Sequence, residues 1–142
     1  MQAYDMSTPY LTVLTHAPAE AVKALVDDII PALGDVVVLQ NRTGLVMLPY
    51  TDTAKGMRFH LGEVLVAEAH VRLENGVEGY AACTGRDLLH ALAVALLDAA
   101  IRSGICIEDI NRFIHAEFYR QQTSDAELLR QVEATRIEME TF

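Results

Sequence analysis

The 142-residue chain reads as an α+β domain: an antiparallel four-stranded sheet of two hairpins, flanked by N-terminal and C-terminal helices. Three observations predict this. Residues 61–74 alternate apolar and polar side chains with a period of two, as a half-buried strand requires. Asn75-Gly76 follows directly and is a strong hairpin signal, because the tight turn needs φ > 0. On both sides of this stretch apolar residues recur at helical spacing. Strands grouped together and helices grouped together define the α+β class. A chain of this length buries roughly 68% of its unfolded surface, so neither metal nor disulfide is needed to hold a core. One domain over residues 1–142 is expected.

At the N-terminal end, Leu11 to Leu14 is a short helical pattern. Ala17-Pro18-Ala19-Glu20 opens a second helix, with Pro18 near its first turn. Val22, Leu25, Val26, Ile29 and Ile30 fall at helical spacing, and Pro31 and Gly34 end it. Val36 to Leu39 and Leu45 to Leu48 read as two strands joined by Asn41-Arg42-Thr43-Gly44, which has turn chemistry. Pro49 stops the second strand or marks an edge. Tyr50 to Arg58 is a polar loop.

In the long strand Leu61, Leu65, Ala67, Ala69, Val71 and Leu73 share one face; Glu68, His70, Arg72 and Glu74 share the other. A two-residue turn sets Glu74 against Val77, Val71 against Tyr80 and His70 against Ala81 as Val77 to Cys83 pairs back. Thr84-Gly85-Arg86-Asp87 resembles a capping box for a helix to about Ser103, ended by Gly104. This helix is mostly apolar and therefore central, with a small-residue stripe at Ala91, Ala95 and Ala99. Glu108 to Tyr119 is a further helix. Ser124-Asp125-Ala126-Glu127 resembles a second capping box, followed by a narrow seam of Leu128, Val132, Thr135 and Met139.

Charge and cysteine usage narrow the function classes. Eleven Lys and Arg against 20 Asp and Glu give a net charge of −9, which disfavours nucleic acid as a partner. Cys83 and Cys106 form no CxxC and read as free thiols of a reducing, cytoplasmic protein. Met1 to Pro9 lacks a signal-peptide pattern, and Ala91 to Ile101 is too short and too interrupted by Asp98 to span a bilayer. No membrane partner is expected.

The inventory of chemistry is thin. There is no phosphate loop, G-x-S-x-G, H-E-x-x-H or dinucleotide fingerprint. His16, His60, His70, His90 and His115 lack metal-ligand spacing. No catalytic, cofactor-binding or metal residue is assigned. Glu68, His70 and Arg72 form a polar cluster on one strand face, with Cys83 diagonal or opposite. They suit either a general acid–base group or a solvated or partner-facing surface, and the surface is favoured because alternation alone produces such a row. Arg86 and Asp87 suit an anion contact at a helix N-terminus or simple capping, with capping favoured. Lys55, Gly56 and Arg58 suit a phosphate or partner contact as well as ordinary loop residues. His90 reads as a buried or interface histidine. The seam from Leu128 to Met139 either closes the chain's own core or docks on another protein.

Several segments, taken in order, resemble one family. Asn41-Arg42-Thr43-Gly44-Leu45-Val46-Met47 resembles its "ETGLVM" hairpin. Phe59 to Val66 with Ala69-His70-Val71-Arg72-Leu73 resembles "FxLGExxVTxxxVRL", and Asn75-Gly76 and Gly79-Tyr80 continue it. Gly85-Arg86-Asp87 with Ala91, Ala95, Leu97, Asp98 and Ala99 resembles "GRDxxxAxxxAxLDA". The tail from Ala134 to Phe142 resembles "ATRVxFxTM". The chain is similar to the PhnG family, the small G subunit of the bacterial carbon–phosphorus (C-P) lyase core complex. It departs from the family pattern at Leu88, where a basic residue is frequent, and in lacking Trp.

The resemblance implies assembly with the H, I and J subunits, and transiently with the L subunit. It implies support for a step in which a phosphonate displaces adenine from ATP at the ribose C1′. That is the alpha-D-ribose 1-methylphosphonate 5-triphosphate synthase step. ATP is then a substrate of the complex, and no cofactor is bound by this chain. The J subunit, a radical enzyme with an iron–sulfur cluster and S-adenosylmethionine, breaks the carbon–phosphorus bond later. The family offers no catalytic residue to carry over. The rival readings are a free-standing small α+β enzyme using the Glu68, His70 and Arg72 face, and an anion-binding homodimer with Lys55, Arg58 and Arg86 as its anion contacts.

Overall fold

Apolar residues repeating every second position along 61–74 need one covered face and leave one open, and the sheet is built that way. The computed structural model describes residues 10–51 and 58–140, with side chains over 10–47 and 62–134. The elements are α1 (Tyr10–His16), α2 (Ala19–Leu33), β1 (Val36–Thr51), β2 (Arg58–Leu73), β3 (Glu78–Thr84), α3 (Leu88–Ser103) and α4 (Ile107–Glu140). The strands form one antiparallel sheet in the order β1-β2-β3. Ala67, Ala69, Val71 and Leu73 of β2 and Ala81 and Cys83 of β3 are buried under α3. The intervening residues of β3 are exposed, and Glu68 and His70 are half-buried. Helix α2 packs on α3, and α1 wedges against α3 and α4. Leu14, Val22, Ile29, Leu97, Ile110 and Ile114 are the large fully buried side chains that join these helices.

The small-residue stripe predicted on α3 sets its distance from the sheet. A Cβ at Gly79 would lie 2.2 Å from the Ala95 carbonyl oxygen and 2.7 Å from the Ala99 nitrogen. Backbone therefore meets backbone where β3 passes under α3, and only small side chains fit nearby.

The sheet has three strands, not the expected four. Asn41, Arg42, Thr43 and Gly44 do not turn the chain; they pair with Ala69, Glu68, Ala67 and Val66 of β2. The two-residue Asn-Gly turn has its residues adjacent, whereas here they stand three apart, and polar side chains are tolerated on an open face. β1 is thus one 16-residue edge strand, irregular between Val38 and Gln40 and again between Leu48 and Pro49. The second irregularity falls where proline has no N–H for the ladder.

The second hairpin turns at Asn75-Gly76, one residue out of the expected register. Leu73 N–H donates to the Val77 carbonyl at 2.9 Å and Gly76 N–H to the Leu73 carbonyl at 3.0 Å. Gly76 has φ +87°, so the loop is the three residues Glu74-Asn75-Gly76 with a left-handed glycine. The Asn75 side chain accepts from Val77 N–H at 2.9 Å. His70 consequently faces Tyr80, and Arg72 faces Glu78. A slip of one residue exchanges the two faces of a strand. The expected register would drive Tyr80 under α3, where the Gly79 contact leaves no room.

Helix α4 is also longer than expected. Ser124 to Glu127 lie inside it and cap nothing. A capping box needs a helix start, and Arg120-Gln121-Gln122-Thr123 contains no Gly or Pro to end the preceding turns. Among the described residues no helix is long and apolar enough to cross a membrane.

Candidate functional site

The open sheet face gathers its polar side chains by cross-strand pairing. Arg42 stands opposite Glu68, and its Nε donates to Glu68 Oε1 at 2.5 Å. The Tyr80 hydroxyl donates to Glu68 Oε2 at 2.6 Å. These two bonds, Tyr80's first and Arg42's second, hold the Glu68 carboxyl below the usual carboxylate range. The same bond, helped by partial burial, pushes the Tyr80 hydroxyl up. His70 packs edge-on against Tyr80 with ring centroids 6.3 Å apart, and its Nε2 lies 3.3 Å from Glu78 Oε2. Arg72 is exposed on this face between Val37 and Glu78.

The structure therefore brings Glu68 and His70 together with two residues the sequence reading placed elsewhere. Arg42 was expected in a turn and Tyr80 on the buried face. A general base at neutral pH needs a carboxyl pKa raised toward 7, and the Glu68 environment moves it the other way. Cys83 is on the opposite face, buried against Ala67's side of the sheet. Burial, then the nearby Asp87 charge, pushes its thiol up to about 11, so it is a protonated core residue at neutral pH.

Of the predicted anion contacts, Arg86 and Asp87 stand together at the start of α3. Asp87, not Thr84, is the N-cap of α3: its side chain accepts from His90 N–H at 3.0 Å. Thr84 ends β3 opposite Val66, and Gly85 makes the exit with φ +103°. The His90 amide, and secondarily Lys23 at 3.6 Å, keep the Asp87 carboxyl below its ordinary range. Arg86 is exposed beside it. Arg58 pairs through its backbone with Thr51, seven residues along β2 from Leu65, whose carbonyl accepts from Gly85. Seven residues of strand span about 23 Å. The Arg58 side chain, and all of Lys55 and Gly56, lie outside the described residues. His90 is a core histidine with Nε2 3.4 Å from the Leu14 carbonyl.

A charged residue in the apolar α3 run has the densest connections. Asp98 is 1% exposed. Its carboxylate accepts from the Tyr10 hydroxyl, from Tyr80 N–H at 3.0 Å and from Arg102 Nε at 3.1 Å. It ties α1, β3 and α3 together and occupies an outward N–H of the β3 edge. Burial, then the bond to Asp98, pushes the Tyr10 hydroxyl up to about 12.

Two apolar arms reach past the core. On β1, Leu45 is 63% exposed and Met47 61%, with Val37, Val38 and Val46 about half exposed. On α4 every residue from Gln122 to Ala134 is exposed, including Leu128, Leu129 and Val132. Among the described residues, no group of three or more His, Cys, Asp or Glu is placed to hold a metal ion.

The fold and the site define an α+β chain with one sheet face open and apolar side chains exposed along β1 and the distal half of α4. Its residues 8–142 match the family described as phosphonate metabolism protein PhnG, and the chain belongs to that family. It is 30% identical over 100 residues to the alpha-D-ribose 1-methylphosphonate 5-triphosphate synthase subunit PhnG of Rhizobium meliloti (strain 1021). That match covers 70% of this chain and 64% of the relative, so the chain spans just under two thirds of that protein's length. The family resemblance read from residues 41–101 and the tail is thereby borne out.

Proposed function

We propose that this chain is an accessory subunit of the complex that transfers the ribose 5-triphosphate of ATP to an alkylphosphonate and releases adenine. It acts by assembly with the H, I and J subunits, and transiently with the L subunit, holding the I subunit in a competent shape. It binds no cofactor of its own. What supports this reading is the match along residues 8–142 to a phosphonate-metabolism family, in a chain whose apolar surface is concentrated on two arms. The locked state of Glu68 on the open face agrees with a docking surface more than with acid–base chemistry.

The test is an adenine-release assay with ATP and methylphosphonate. The complete set of subunits should release adenine, the set without this chain should release little, and the purified chain alone none. Adenine release by the chain alone would overturn the accessory role.

A further inference from the structure

Helix α4 leaves the core at a definable point. Ile110, Ile114 and Glu117 are buried, and Gln121 Nε2 donates to the Val13 carbonyl at 3.0 Å. From Gln122 to Ala134 every residue is exposed, and 13 residues of helix span about 20 Å. A free helix of this length is marginal in water. The exposed stretch is nonetheless patterned. Leu128, Leu129 and Val132 make one apolar stripe at i, i+1 and i+4 spacing, each about 60% exposed. At 100° per residue, Asp125 lies on the stripe's own axis one turn before it and Glu133 borders it on one side, while Glu127 and Arg130 both fall on the far face.

That arrangement selects a partner. A groove receiving the stripe meets the Asp125 carboxylate at one end and the Glu133 carboxylate along one rim, so its own margin carries cations there. A second copy of this chain is a poor fit. Its net charge is −9, and its apolar groove of about 270 Å³ between α2 and α3 is lined by Asp27 and by one cation, Lys23, which already stands 3.6 Å from Asp87.

We infer that the projecting half of α4 docks, stripe inward, in an apolar groove rimmed by Lys or Arg on a companion subunit of different sequence. This rests on the assembly proposed above and names the surface that carries it. Binding of this kind is partly electrostatic, so it weakens as salt screens the rim contacts.

The test uses the 142-residue chain with the H, I and J subunits, comparing wild type with Leu128→Asp/Val132→Asp and with Asp125→Lys/Glu133→Lys at low and high salt. All four positions are exposed, so each free variant should melt with the wild type. The wild type is expected to join stoichiometrically and to bind less tightly in high salt. The apolar pair should lose about tenfold or more in affinity at both salts. The charge-reversed pair should lose affinity at low salt and recover part of it at high salt. If the wild type assembles and both variants assemble equally well, the docking helix is overturned and the accessory role stands. If the wild type does not assemble, both readings fall. A wild-type homodimer abolished by the same variants would overturn the choice of partner.

Discussion

Asp98 shows how one residue can hold three elements and still look like an interruption in the sequence. It sits in the most apolar stretch of the chain, where a buried carboxylate persists only if paired. Its existence was visible there; its partners were not, because Tyr10, Tyr80 and Arg102 converge only after α1 and β3 have packed. Asp98→Ala would leave the Tyr80 amide and the Tyr10 hydroxyl unpaired, while Arg102, largely exposed, turns to water. The expected cost is about 3 kcal/mol by urea unfolding, with Asp98→Asn losing less because it keeps an acceptor. Tyr10 supplies the pH dependence. Its folded pKa is raised from the ordinary 10 to about 12, so the folded state keeps a proton that the unfolded chain gives up. Its contribution is complete below pH 10 and is lost as pH rises toward 12. The stability gap between wild type and Tyr10→Phe should therefore narrow across that interval, and a gap independent of pH would contradict the linkage.

Elements follow local pattern, while their pairing follows space. Alternation in 61–74, helical spacing in α2 and α3, and the glycine after α3 were all legible because neighbouring residues carry them. The strand register was not, since a two-residue and a three-residue turn both use Asn75-Gly76 and differ in which face Tyr80 takes. The deciding contact is Gly79 against the α3 backbone, between residues 16 and 20 positions apart. Two false boundaries had a related cause: Asn41 to Gly44 and Ser124 to Glu127 carry turn and cap residue types, yet pairing with β2 and an unbroken helical ladder override them. The Gly79 contact can be tested directly. Gly79→Ala places its Cβ against backbone atoms that cannot rotate away, and should cost about 3 kcal/mol or abolish folding. Gly44→Ala, in the same sheet with nothing within 4 Å of the added Cβ, should stay within about 0.5 kcal/mol of wild type or gain slightly. Equal effects at both positions would mean that β3 and α3 do not approach so closely.

At the scale of the whole molecule, the residues that hold the core and the proposed docking stripe lie on different stretches of chain. The sequence left open whether the seam beginning at Leu128 closes the core or serves a partner, because an apolar stripe satisfies either need. Its described part, through Ala134, lies beyond the Gln121 bond to Val13 and begins after Gln122, from which every described side chain is exposed. Ending the chain after Gln121 removes no residue that is buried among those described and keeps Ile110, Ile114 and Glu117 in place. Helical turns without packing contribute little, since propagation in water barely repays the ordering of each residue. The shortened chain should unfold cooperatively within about 1 kcal/mol of the full chain, yet fail to join the companion subunits. Unfolding in urea and co-purification read the two properties separately. A large loss of stability would mean that the distal helix returns to the core, whereas a stable shortened chain that still assembles would shift the docking role to the β1 arm around Leu45 and Met47.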